Sequence, residues 1–178
     1  MANKVITGKV RLSYANVWEP KSINGSDAKY GCSIIIPKSD KETIKKINNA
    51  IDAAIKEGIG KFGGKIPNKA VLKLPLRDGD IDREDDEAYK NAYFINANSK
   101  NAPGIVDINC DPILDKTEVY SGCYARVSIT FYAFNSNGNK GIACGLQNIQ
   151  KLDDGEPLGG RTSASEDFKD YVEEDFLR

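Results

Sequence analysis

Residues 124–135 (YARVSITFYAFN) alternate between apolar and other side chains over their whole length, a period of two that only a half-buried strand satisfies. Val127, Ile129, Phe131 and Ala133 share one face, and Arg126, Ser128, Thr130, Tyr132 and Phe134 share the other. Asn135-Ser-Asn-Gly138-Asn139 then supplies turn residues, and residues 140–152 return as the partner strand. A hairpin of this kind cannot bury its apolar face alone, so the remaining elements must be arranged around it.

Those elements are legible in outline. Residues 5–18 alternate as well, with Val10, Leu12 and Tyr14 on one face and Lys9, Arg11 and Ser13 on the other. Residues 30–36 (YGCSIII) read as a further strand, stopped by Pro37. Ser39, Asp40, Glu42 and Thr43 open a helix in which Ile44, Ile47, Ile51 and Ile55 recur at helical spacing until Gly58 ends it. Residues 92–98 and 105–110 are strand-like, separated by Lys100-Asn-Ala-Pro-Gly104. With no repeat and no βαβ alternation, the chain is expected to form about five to seven strands and one inserted helix, in a small closed or partly open antiparallel barrel.

Several chemistries are excluded or weakened. The chain has no histidine, which removes imidazole metal sites, His-based triads and the commonest general base. Cys32, Cys110, Cys123 and Cys144 are widely spaced, with no C-x-x-C pair, and read as free thiols in a reducing compartment. Residues 58–65 (GIGKFGGK) look like a phosphate loop but lack its spacing and its hydroxyl, and they follow a helix where a strand is required. Residues 78–87 (DGDIDREDDE) concentrate carboxylates, yet Arg83 stands where a calcium loop needs glycine, so a solvated loop is expected. No apolar run approaches the roughly 18 residues of a membrane span, and Met1-Ala-Asn-Lys4 leads into the first strand without an apolar signal region.

Charge points elsewhere. Residues 1–152 carry 22 basic and 17 acidic side chains, whereas residues 153–178 carry 3 and 9. A basic body with an acidic tail suits a protein that grips a polyanion and regulates the grip. The polar face of the 124–135 strand adds aromatics beside cations, which single-stranded nucleic acid requires: bases stack on rings while Lys and Arg follow phosphates. The candidate contacts on that strand are Tyr124, Arg126, Tyr132 and Phe134. Elsewhere they are Arg11, Trp18, Lys21, Lys29, Tyr30, Arg77, Tyr93, Lys100, Tyr120 and Lys140. For each ring, packing at the core or rim is the competing reading. In the tail, Phe168, Tyr171, Val172 and Phe176 form an apolar set suited to partner capture, and Ser163 with Glu166 fits a capping box.

Seven short segments carry a resemblance. Ser13-Tyr-Ala15 with Trp18-Glu-Pro-Lys21, Pro37-Lys38 with Asp40, and Pro75-Leu-Arg-Asp-Gly-Asp80 come first. Pro103-Gly-Ile-Val-Asp107, Tyr120-Ser-Gly-Cys123, Gly138-Asn-Lys-Gly141 and Gly155-Glu-Pro-Leu-Gly-Gly160 follow in order. Together they resemble landmarks of the single-stranded DNA-binding proteins of tailed bacteriophages, over nearly the whole chain. The resemblance implies a mainly β, OB-fold-like body: a five-stranded, partly open antiparallel barrel with one inserted helix, spanning residues 1–152. It also implies an acidic C-terminal tail, residues 153–178, that meets phage or host replication and recombination proteins; the opposite charges of body and tail are the reason to expect that the tail also competes with DNA. It further implies sequence-nonspecific coating of single-stranded DNA in the host cytoplasm, with no catalysis and no cofactor; self-association stays open. The chain departs from the family's tail in ending Phe176-Leu177-Arg178, with a terminal cation. Two competing functions are a metal-dependent nuclease or phosphotransferase built on Asp78, Asp80, Asp82, Asp85 and Asp86, and a protein-interaction scaffold.

Overall fold

The alternating run becomes β7 (Tyr124–Ser136), which pairs with β8 (Asn139–Asp153) from Tyr124↔Asp153 to Ser136↔Asn139. Asn137 and Gly138 turn the corner with φ of 52° and 88°, the left-handed pair that a two-residue hairpin loop demands. The computed structural model describes residues 3–22, 27–158 and 168–171.

Around the hairpin lie β1 (Lys4–Ile6), β2 (Val10–Lys21), β3 (Lys29–Pro37), β4 (Arg77–Asp78), β5 (Ala92–Ser99) and β6 (Gly104–Val106). Five of the strands form a ring in the order β7-β2-β3-β5-β8 and back to β7. The ring is joined between β5 and β8 by one parallel rung, Asn98↔Gly145, so the barrel is partly open. The expected mainly β, OB-like architecture is what the chain adopts, with two refinements. Three short strands are added outside the ring, β1 on β7, β4 on β5 and β6 on β8, and the pairings of β8 with β5 and β6 are parallel rather than antiparallel.

The core follows the alternation. Val10 and Leu12 of β2, Ile34 and Ile36 of β3, Ile95 and Ala97 of β5, and Val127, Ile129 and Phe131 of β7 are buried together. The inserted helix α1 (Lys41–Glu57) lays Ile47, Ile51 and Ile55 on this core, each contributing about 1.5–3 kcal/mol by burial. Its start is fixed twice: the Asp40 carboxylate accepts from the Thr43 amide at 3.2 Å, and the Gly8 amide donates to Thr43 Oγ1 at 2.9 Å. A second, smaller cluster of Ile35, Tyr89, Ala92 and Phe94 lies on the other face of β3 and β5. There the Tyr89 hydroxyl donates to Ser33 Oγ at 2.9 Å.

Three local expectations are corrected. Tyr14 does not continue the core face of its strand: φ is 47°, the register shifts between Ser13 and Asn16, and the ring is 61% exposed. The run expected to be a strand over residues 105–110 pairs only as far as Val106, because the Asp107 carboxylate accepts from the amides of Asn109 and Asp111 and folds a turn. The acidic run contains a one-turn helix, α2 (Gly79–Asp82), with the Asp78 carboxylate accepting from the Asp80 amide at 2.9 Å.

Candidate nucleic-acid interface

Beside the smaller cluster, β2, β3 and β5 hold an open groove of about 460 Å³. Its floor comes from alternate strand positions that point away from the core: Gly31 and Ser33 of β3, and Asn96 and Asn98 of β5. Asn16 and Tyr14 of β2 form one wall. Lys21 and Lys29 are exposed cross-strand partners in the groove lining, and Arg83 lines it too, its guanidinium 4.9 Å from the Phe94 ring. Like charges directly opposite each other weaken a sheet; Asp27 also lines the groove, and the lining still carries three cations against this one carboxylate.

The pairing registers extend the floor into a row. Asn16 faces Gly31, Gly31 faces Asn98, Asn98 faces Gly145 across the barrel seam, and Gly145 faces Thr130. Gly31 is required by close approach, because a Cβ there would run into the Asn98 side chain and the Ala97 carbonyl. Carboxamides and hydroxyls offer donors and acceptors suited to base edges, while the flanking cations suit phosphates.

The sequence candidates divide into four groups by position. Lys21 and Lys29 line the groove, and Tyr30 is half-buried next to Gly31. Tyr132 (51% exposed) and half-buried Phe134 lie on the outward face of the β7–β8 hairpin, with Arg126 donating to Gln150 Oε1 at 3.0 Å on the same strand and Lys140 near the turn. Tyr93 lies beneath Lys38 at 5.2 Å beside α1, away from the groove. Arg77 and Lys100 are exposed and are not among its lining residues, Arg77 lying 3.9 Å from Asp82.

The fourth group is a lock. Residues 154–158 fold back on the barrel, and Arg11, Trp18, Tyr120 and Tyr124 lie at or beside the place where they dock. Arg11 donates from Nε to the Gly122 carbonyl at 3.0 Å and from Nη2 to the Glu156 carbonyl at 2.6 Å, with its guanidinium 5.5 Å from the Tyr124 ring. The Tyr120 hydroxyl lies 3.0 Å from both Asp154 Oδ1 and the Gly155 carbonyl, and the Leu158 amide donates to the Ser121 carbonyl at 2.9 Å. The Trp18 indole donates to the Val119 carbonyl at 2.9 Å just upstream. Gly122 and Gly155 pass too close for either to carry a Cβ. Hydrogen bonds from Lys151 and Tyr120 hold the Asp154 carboxyl below the usual range, while burial pushes the Tyr120 hydroxyl up.

Three carboxylates of the acidic run, those of Asp78, Asp80 and Asp86, serve the fold. Lys38 reaches Asp78 at 2.9 Å and Asp80 at 2.7 Å, which holds the Asp80 carboxyl down and the Lys38 ammonium up. Asp80 also accepts from the Asn91 amide, and Asp86 from the Ala88 amide. Among the described residues no three acidic or Cys side chains form a group that could hold a metal ion. In the tail, Phe168 and Tyr171 are 63% and 75% exposed, while Val172 and Phe176 lie outside the described residues, as do Ser163 and Glu166.

Groove residues missed by sequence reasoning are Tyr14, Asn16, Asp27, Gly31, Cys32, Ser33, Arg83, Asn96 and Asn98. One available signal was the alternation of asparagine and small apolar residues in Asn96-Ala-Asn98, which marks a polar outward face.

A five-strand ring with a polar groove across β2, β3 and β5 defines the molecule as an OB-like barrel. Its family is also defined: the model for the ssDNA-binding protein of Enterobacter phage Enc34 matches residues 3–177, and the chain belongs to that family. Protein p50 of Acyrthosiphon pisum secondary endosymbiont phage 1 is 33% identical, over 94% of this chain and 93% of its own. Among solved structures, the bacteriophage Enc34 single-stranded DNA-binding protein in complex with ssDNA is similar, with a TM-score of 0.77 and 24% identity over 89% of this chain and 90% of that one. The bacteriophage T7 single-stranded DNA-binding protein gp2.5 shares the fold at a TM-score of 0.61 and 14% identity, covering 97% and 96%.

Proposed function

We propose that this chain coats single-stranded DNA without marked sequence preference during phage DNA replication or recombination, as a binding protein rather than an enzyme. The observation that carries this reading is the groove, a floor of uncharged hydrogen-bonding groups with Lys21 and Lys29 facing each other among its lining residues. The DNA lies over β2, β3 and β5, its phosphates toward the lysines and Arg83 and its bases toward Asn16, Asn96 and Asn98. Tyr132 and Phe134 extend the surface beyond the seam.

The domain division and the tail belong to the same proposal. Residues 1–152 with the docked segment 153–158 are the DNA-binding body, and the acidic tail beyond them recruits replication and recombination proteins through Phe168, Tyr171, Val172 and Phe176 while competing with DNA for the basic surface. The site of action is the host cytoplasm; no helix among the described residues is long and apolar enough to cross a membrane.

The test is titration of labelled oligo-dT of increasing length, with duplex DNA and RNA as competitors and salt varied. The expected result is preference for single strands, a site size of about 4–16 nucleotides, and affinity that falls as salt rises. Equal affinity for duplex and single strand refutes the proposal. Deleting residues 161–178 should tighten binding at low salt and abolish partner recruitment; unchanged affinity would sink the competition between tail and DNA.

A further inference from the structure

Tyr14 occupies an uncommon position for its residue type. A bulky side chain at φ 47° is a true backbone outlier, since the left-handed region suits glycine and asparagine. Such strain persists only where neighbours over-determine it, and it concentrates at functional sites. Here the neighbours are identifiable. The Ala15 amide donates to Ser121 Oγ at 2.9 Å, and Asn16 Nδ2 donates to the Tyr14 carbonyl at 3.1 Å. Both bonds pin the bulge between Ser13 and Asn16, on either side of the strained residue.

Without the bulge, alternation would send the Tyr14 ring into the core beside Val10 and Leu12. With it, the ring stands 61% exposed at the groove, the one aromatic among the lining residues. Two positions along the same strand, Asn16 begins the register row that crosses the sheet through side-chain-free Gly31 to Asn98.

Resting on the reading of the groove as a single-strand site, we infer that Tyr14, Asn16 and Asn98 form a single-nucleotide subsite. One base stacks on the Tyr14 ring, its edge bonds to the carboxamides of Asn16 and Asn98, and its phosphates run toward Lys21 and Lys29. The bulge exists to present that ring, so folding stability and binding make opposite demands on residue 14.

That opposition supplies the test. Tyr14→Asn places a residue that tolerates left-handed backbone at the strained position, so its melting temperature should equal or exceed the wild type's. Its affinity for oligo-dT should fall roughly 5- to 100-fold, the loss of one stacked base. Tyr14→Phe should keep both affinity and stability. Photocrosslinking with 5-iodouracil-substituted oligonucleotide should place an adduct on Tyr14. Lys29→Ala is measured alongside. If Lys29→Ala weakens binding while Tyr14→Asn binds as wild type, the subsite is overturned and the groove stands. If neither substitution weakens binding, the groove reading itself is overturned. A lowered melting temperature for Tyr14→Asn would mean that the ring is structural, and would also overturn the inference.

Discussion

Replacing Arg11 with alanine separates two roles that a cation on a β-strand can have. Its side chain makes two charged hydrogen bonds, to the carbonyls of Gly122 and Glu156, and lies over the Tyr124 ring. A bond of this type contributes about 1.5–3 kcal/mol and an exposed cation–π contact about 0.5–1 kcal/mol. Arg11 is only half-buried and water can reach the freed carbonyls, so the lower ends apply and the expected loss is about 3.5 kcal/mol. In urea, the unfolding midpoint should drop by about 1 M or more with an unchanged slope. The salt dependence of oligo-dT binding is the second readout. Each lost phosphate contact on a single strand removes about 0.7 from the log–log slope, and Arg11→Ala should leave that slope where it was. A variant as stable as the wild type but with a shallower salt slope would refute the assignment of Arg11 to the docked segment and return it to the DNA surface.

Four further outcomes are expected. Lys21→Ala and Lys29→Ala together should reduce the salt slope by about 1.4 and leave the melting temperature unchanged or slightly raised, since they relieve a like-charge pair; an unchanged slope counts against the groove. Gly31→Val should cost about 1–3 kcal/mol, because the added Cβ meets the Asn98 side chain and the Ala97 carbonyl; wild-type stability would show that the floor is looser than described. The Asp80 and Asp154 carboxyls are held below the ordinary value of 3.8, first by hydrogen bonds from Lys38 and Lys151, so their stabilisation is complete above that value and lost as pH falls through the lowered ones. Thermal stability should therefore decline below about pH 4, and Asp80→Asn should flatten the decline; an identical pH profile rejects the linkage. Cys110 is exposed, whereas Cys32, Cys123 and Cys144 are buried and burial pushes the Cys32 thiol up to about 12, so native protein should take up alkylating reagent promptly at one thiol of four; prompt reaction at a second contradicts the packing.

The parts of the fold readable in advance are those governed by local period. Val127, Ile129, Phe131 and Ala133 are buried as their alternation requires, and Ile47, Ile51 and Ile55 are buried as helical spacing requires. Tyr14 broke the same rule because its backbone is set by Ser121, more than a hundred positions away, and alternation carries no information about such a partner. The site was less legible than the fold. A search for cations and rings finds Arg11, Trp18 and Tyr120, but their carbonyl partners lie near positions 119–156 and become neighbours only on folding. Conversely, Ser33, Asn96 and Asn98 have neither charge nor ring, and Arg83 is hidden within an acidic run, so residue type alone did not mark the groove.

The lone rung between Asn98 and Gly145 makes the barrel a hoop with a weak clasp. The same two residues belong to the row that continues the groove, so a strand lying across it would span the gap in the hoop. Occupancy and closure are then thermodynamically linked: ligand that favours the closed hoop stabilises it in proportion to the logarithm of its concentration. Amide hydrogens flanking the seam on β5 and β8 should exchange more slowly as oligonucleotide is added, while those of the β7–β8 turn keep their rate. A polynucleotide held in the proposed groove would then be a structural member of the barrel, completing a circumference that the polypeptide leaves nearly undone.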